Sequence, residues 1–258
     1  MSVSLQKANL WKRISAWMFD IILVAILAIG AASGISELVA YDKYTDQLTQ
    51  HYVQAFQNEG IEKYKDITQE DFDKLPEEEQ TKITNALSAY AKNENVQKIT
   101  RRQFYLSLAI IGGGLLIAHM LLNFAVPLFF GNGQTLGKKI FGSALMRTNC
   151  VKITTPVLFI RTLFGKYVIE TMFPLLILTM IYFNVLGGIG LITLCLLGIL
   201  QLGVLIMTQT SSAIHDLVAD TVVVDFASQM IFDSEEQMIS FKEEEARAAA
   251  EREANKSY

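Results

Sequence analysis

The sequence predicts an all-α fold: a polytopic four-helix transmembrane bundle with a helical extracytoplasmic insert between helices one and two. Two observations carry this prediction. Hydrophobic residues make up 51% of the chain, yet the charged ones gather between apolar blocks and at the C-terminus, the pattern of a membrane protein rather than of a soluble core. Four of those blocks, residues 14–40, 104–130, 157–183 and 186–208, reach the length of about 20 residues needed to cross hydrocarbon.

The first segment, residues 1–40, carries Lys7, Lys12 and Arg13 ahead of helix one, and Lys138, Lys139, Arg147 and Lys152 fill the basic loop 131–153 between helices two and three. Basic residues in short loops mark the cytoplasmic side. Both termini are therefore expected to be cytoplasmic. Arg101 and Arg102 fall on the opposite side, behind a long segment of the kind that translocates largely regardless of charge. A cleaved signal peptide is the rival reading of residues 18–34, but Asp20 interrupts that run and the run continues to Val39.

Residues 41–102 read as a solvated helical insert on the outer face. Thr68 stands three residues before Asp71 as a helix cap, Pro76 suits a first turn, and Glu77, Glu78 and Glu79 complement that helix's dipole. The acidic group Glu70, Asp71 and Asp73 lacks the mid-loop glycine and ligand pattern of a calcium loop. Helices two to four occupy 103–225. The tail, 226–258, alternates acidic and basic residues with alanine, as a cytoplasmic helix or a partly disordered segment. Cys150 and Cys195 have neither metal-ligand nor disulfide spacing.

Asp20 lies seven residues into the first apolar run, with Arg13 at its threshold. That spacing returns to nearly the same helix face about 10 Å along the axis. An ionisable group at such depth is a functional-site candidate by default, and equally a buried polar lock for the bundle. Counted from the cytoplasmic ends, Asn123, Glu170 and Gln201 fall roughly 10 to 15 Å deep, with His119 one turn beyond Asn123. Carboxylate and amide oxygens in a ring suit a hard cation such as sodium, and a carboxylate that neutralises itself suits proton exchange. Against this, Glu170 has Lys166 four residues before it as an interfacial partner, and Asn123 and Gln201 suit interhelical hydrogen bonds worth about 0.6 kcal/mol.

No enzymatic constellation is present: the three histidines are scattered, and there is no nucleophile elbow. The loop from Gly131 to Lys139 imitates a phosphate loop, but Asn132 stands where the first glycine is required and Lys139 where Ser or Thr is. It reads instead as a basic turn facing anionic headgroups. Neither a cofactor nor nucleic acid is expected; the bilayer is the partner.

Three separated pieces carry a family resemblance. Arg13-Ile14-Ser15-Ala16 leading to Phe19-Asp20, then Thr135-Leu136-Gly137-Lys138-Lys139, then Ile214-His215-Asp216 with Thr221-Val222-Val223 resemble the RDD family of bacterial integral membrane proteins. The resemblance implies Arg13, Asp20 and Asp216 as the name-giving arginine and aspartates, a bacterial plasma membrane location, and a link in some members to exchange of Na+ or K+ for H+. The insert is larger than the family's usual connection, and Asp220 replaces a small residue. Helical side chains lean toward the N-terminus, so Arg13 points away from Asp20. Asp216 is then its expected partner in a clamp, with His215 adding a proton-sensitive group. Two functions stay open. One is a small cation/proton exchanger with Asp20 as carrier, acting as a homo-oligomer or beside a partner membrane protein because four helices without a repeat are thin. The other is a non-enzymatic scaffold recruiting partners through insert and tail.

Overall fold

The computed structural model describes residues 5–208, 210 and 212–256, with side chains to residue 253. The first four and last two residues of the expected terminal segments lie outside the described residues. In chain order the helices and strands are α1 (Leu10–Leu38), α2 (Asp42–Asn58), α3 (Gln69–Phe72), α4 (Glu77–Lys92), α5 (Glu94–Phe130), α6 (Leu136–Ile140), β1 (Ser143–Arg147), α7 (Thr155–Tyr182), α8 (Gly187–Met207), α9 (Ile214–Val218), β2 (Thr221–Asp225) and α10 (Glu235–Lys256). Four of them, α1, α5, α7 and α8, are long and apolar enough to span a membrane. Their burial runs opposite to that of a soluble protein. Ile26, Ile189, Leu196 and Ile206 are exposed, whereas Asn123, Arg161 and Thr162 are buried. Only a hydrocarbon solvent makes that arrangement favourable.

The chain divides into two compact units, one of residues 29–114 and one of residues 1–28 with 115–258. In the first, α2, a 3-10 turn at Glu62–Tyr64, α3 and α4 surround Phe56, Ile61, Ile83 and Ala86. Tyr52 packs its ring against Phe56 and edge-on against Tyr90, at centroid distances of 4.8 and 5.4 Å. Thr68 caps α3 by accepting from Asp71 N at 3.3 Å, as its spacing predicts. Pro76 sits directly before α4, whose first turn holds Glu77, Glu78 and Glu79. Asn93 then starts α5 by accepting from Asn95 N at 2.9 Å, so one continuous helix runs from Glu94 through the second apolar block with no break at residue 102.

The second unit holds a small sheet that hydropathy did not announce. β1 and β2 pair antiparallel, with Leu145 opposite Val223. Thr221-Val222-Val223-Val224 is β-branched throughout, which favours a strand, but four buried residues in a row show no alternation to read. The segment before α1 adds along β2, through Asp225 N to Gln6 O at 3.0 Å and Ala8 N to Val223 O at 3.4 Å. Ala144, Met146, Val222, Val224 and Phe232 form its core, and Met238 and Phe241 of α10 pack on it. The tail therefore leaves the sheet as a helix. Three stretches distant in sequence, the entry to α1, the loop after α5 and the exit from α9, are tied together there.

Phe56 is the centre of the first unit's core and almost fully buried. Phe56→Ala should cost roughly 3–5 kcal/mol by cavity formation, read as faster tryptic cleavage at Lys63, Lys65 and Lys74 in the full-length protein. Wild-type cleavage rates would mean that this core does not hold the segment.

Candidate functional site

Asn123, Arg161, Lys166 and Glu170 sit on two stretches of widened helix. At Met120–Ala125 in α5 and Arg161–Met172 in α7 the backbone adopts π-helical pairing, with Val126 N bonding Leu121 O and Phe173 N bonding Val168 O. Such bulges are rare and favour functional sites. Thr162 Oγ1 donates to the Asn123 carbonyl at 2.9 Å, and Thr171 Oγ1 to the Lys166 carbonyl at 2.8 Å. Side-chain hydroxyls thus serve backbone groups that lipid cannot.

Asp216 is the hub. Its Oδ1 accepts from Arg161 Nη2 at 2.6 Å and Nε at 3.1 Å, with both side chains 1% exposed. Thr221 Oγ1 also reaches Oδ1 at 3.3 Å, and Ala213 N donates to Oδ2 at 3.2 Å, so one carboxylate fixes α7, the start of α9 and the start of β2. The expected clamp with Arg13 exists as a longer contact, Nη2 to Oδ2 at 3.8 Å. Arg161, not Arg13, is the close partner. The reason is depth: α9 folds back against α7 instead of remaining at the surface, and Gly165 permits it. A Cβ on Gly165 would stand 2.6 Å from His215 Cβ. Burial alone would raise the Asp216 carboxyl, but the Arg161 guanidinium and then His215 and Lys138 hold it well below the usual range.

Next to it, His215 Nδ1 and Glu170 Oε1 lie 2.6 Å apart, and the His215 amide and Gln201 Nε2 donate to the same oxygen at 3.3 and 3.1 Å. Glu170 Oε2 has no hydrogen-bond partner among the described residues. Lys166, offered by sequence as the neighbour of Glu170, instead donates to Asn123 Oδ1. Asn123 Nδ2 meets His119 Nδ1 at 3.1 Å, and His119 Nε2 meets Thr171 Oγ1 at 3.1 Å. Four of the five expected ring members are therefore engaged in two adjoining groups on α5, α7 and α8.

Asp20 is the exception. Its Oδ2 accepts from Thr135 Oγ1 at 2.5 Å and its Oδ1 from Gly137 N at 2.8 Å. Both oxygens are thereby engaged by the turn that opens α6, where Thr135 Oγ1 also accepts from Lys138 N at 3.3 Å. Gly137 allows the approach, because a Cβ there would collide with the Ala16 carbonyl and lie 2.9 Å from Asp20 Oδ1. The loop following α5 folds back onto the Asp20 face of α1 and takes the place that the other spans were expected to fill. The same fold removes Lys138, but not the exposed Lys139, from the basic turn expected to face headgroups. Lys138 is 8% exposed with its Nζ unpartnered among the described residues, and Lys139 Nζ lies 3.7 Å over the Phe130 ring. Burial pushes the Lys138 ammonium well below its ordinary pKa, with Arg161 and Lys166 adding to the shift.

Arg161 and Lys166 are the residues that sequence reasoning undervalued. Placed in an apolar run, they read as snorkelling side chains. The signal present was the rule that an intramembrane cation faces the bundle and pairs there.

Breaking a buried ion pair leaves an unmatched charge and costs about 3–5 kcal/mol. Arg161→Ala and Asp216→Ala should each lower detergent stability far more than Arg13→Ala does, and the Arg161/Asp216 double variant should lose less than the sum. Equal losses at Arg13 and Arg161 would mean that the longer contact holds Asp216 as firmly as the short one. His215 titrates below its ordinary value, because burial disfavours its charged form and Arg161 adds to this, against Asp216 and Glu170. The unfolded state then binds the proton first, so stability present above about pH 6.5 is lost as pH falls below that value. Melting between pH 8 and 5 should show this loss, and His215→Gln should flatten it.

A family model, the RDD family, matches residues 7–220, a stretch that contains α1, α5, α7 and α8 and every residue of the site except Thr221. Neither the comparison with curated proteins nor that with solved structures gave a match. With Arg13, Asp20 and Asp216 all built into the site, and with that match covering most of its length, the chain belongs to the RDD family of bacterial membrane proteins.

Proposed function

We propose that this protein is a small carrier that exchanges a monovalent cation, Na+ or K+, for H+, with Glu170 and His215 as the proton-handling pair. The observation that carries the reading is the Glu170 carboxylate. It lies near the middle of α7 on widened helix, with Oε1 held by His215 and Gln201 and Oε2 unpartnered among the described residues. A carboxylate in that position can hold either a proton or a bare cation, which is the competition that exchange requires. His119, Asn123 and Lys166 extend the polar path along α5 and α7. Asp20, with both oxygens occupied, serves this carrier as a positioning residue.

In this reading the chain lies in the bacterial plasma membrane with both termini cytoplasmic, following the lysine and arginine bias of its short loops. It works without cofactor, as a homo-oligomer or beside a partner membrane protein. A non-enzymatic scaffold is the second reading, and it is favoured by the engagement of both oxygens of Asp20 and of Asp216 in contacts that hold the fold together.

Vesicles reconstituted with the full-length protein separate the two. Wild type should move protons when a Na+ or K+ gradient is imposed, Glu170→Gln should lose at least nine-tenths of that flux at equal membrane insertion, roughly the loss of 1.4 kcal/mol, and His215→Gln should shift its pH dependence. Full flux in Glu170→Gln would remove the assignment, and no flux in wild type would leave the scaffold.

A further inference from the structure

α5 is longer than a bilayer needs. Its 37 residues extend about 55 Å at 1.5 Å per residue, against a hydrocarbon core of about 30 Å. The excess lies at its N-terminal end, where the charged residues stop at Arg102 and the apolar run begins at Phe104. Lys98, Arg101, Arg102 and Tyr105 follow one another at helical spacings of three, one and three, so they share one stripe, and Ala109 continues it a turn later. Together with Leu106 they line a shallow groove on that face.

The charges in the groove have little to neutralise them. Among the described residues Lys98 pairs with the exposed Glu94 alone, at 3.6 Å. Arg102 lies over the Tyr44 ring at 5.2 Å, and Arg101 is exposed with no ion pair among the described residues. Tyr105, 63% exposed, stands where a phenol prefers to sit, at the boundary of headgroups and hydrocarbon. Cations above, an aromatic at the boundary and apolar surface below are the three layers of a phospholipid in order.

We propose that Lys98, Arg101, Arg102 and Tyr105 bind the phosphate of an anionic phospholipid whose acyl chain lies along Leu106 and Ala109. Free phosphate matches the cations but not the apolar continuation of the stripe, and a neutral zwitterionic lipid brings a cationic amine to an uncompensated basic face. The site accounts for the Arg101-Arg102 pair that stands apart from the basic loops of the chain. It is independent of the exchange reading.

The test uses the full-length protein, stripped of lipid in neutral detergent and titrated with phosphatidylglycerol or phosphatidylcholine of matched acyl chains, with retained lipid counted by native mass spectrometry. Wild type should prefer phosphatidylglycerol. Arg101→Gln with Arg102→Gln should reduce that affinity about thirtyfold, the scale of two basic residues beside a membrane, while Arg101→Lys with Arg102→Lys keeps most of it. Lys63→Gln with Lys74→Gln removes the same charge from exposed positions elsewhere and should change nothing. An unchanged preference in the glutamine pair overturns the site, as does an equal loss in the lysine control. Displacement of phosphatidylglycerol by millimolar inorganic phosphate overturns the lipid as occupant.

Discussion

The structure of the second unit depends on one buried ion pair. Arg161 and Asp216 meet at 2.6 Å with almost no exposure, and neither is tolerable there alone, because an unpaired charge in so dry a site costs several kcal/mol. The pair forces the chain leaving α8 to turn back and lay α9 against α7. It also sets where β2 begins, since the Asp216 carboxylate and carbonyl both receive the Thr221 hydroxyl. β2 then pairs with β1 and with the residues entering α1. One charge pair inside the bundle therefore determines the sheet outside it.

A second lock, chemically different, holds α1. Asp20 uses a neutral hydroxyl and a backbone amide instead of a cation, and so fixes the short helix α6 without adding positive charge to a region that already holds Arg13, Lys138, Arg161 and Lys166. The two name-giving aspartates thus do different work. One accepts from a guanidinium and orders α7, α9 and β2, and the other accepts from a helix start and orders the loop after α5. Glu170 differs from both in that, among the described residues, all its contacts fall on Oε1 and none on Oε2.

The widened segments explain why these contacts are possible inside a membrane. A regular α-helix would bond the Asn123 carbonyl within α5 and leave Thr162 only its own preceding turn to donate to, as Thr171 does to Lys166. Opening the pairing register in α5 and α7 turns Asn123, Lys166 and Glu170 toward neighbours on other spans. Two helices carry the irregularity and α8, whose side chains are largely exposed and apolar, carries almost none. Only Gln201 of that helix joins the network.

The sequence by itself determined the solvent, the four spans and the family pieces. Apolar runs of sufficient length and charges confined between them admit few other folds, and Thr68 and Pro76 mark helix starts by chemistry that acts within four residues. It also picked out many polar residues of the site, because such residues are rare in hydrocarbon, but not Arg161, Thr162 or Thr171. Which of them meet was decided only by the tertiary structure. Depth along a span is readable from residue count, but the facing direction is not, and a count cannot foresee a loop folding back to occupy the Asp20 face or a short helix tucking against Gly165. Pairing by depth grouped Asp20 with Glu170 and assigned Asp216 first to Arg13. Long-range packing gave Asp20 to Thr135 and Gly137 and gave Asp216 to Arg161, since a buried carboxylate takes the partners that reach it with the best geometry, wherever they lie in the chain.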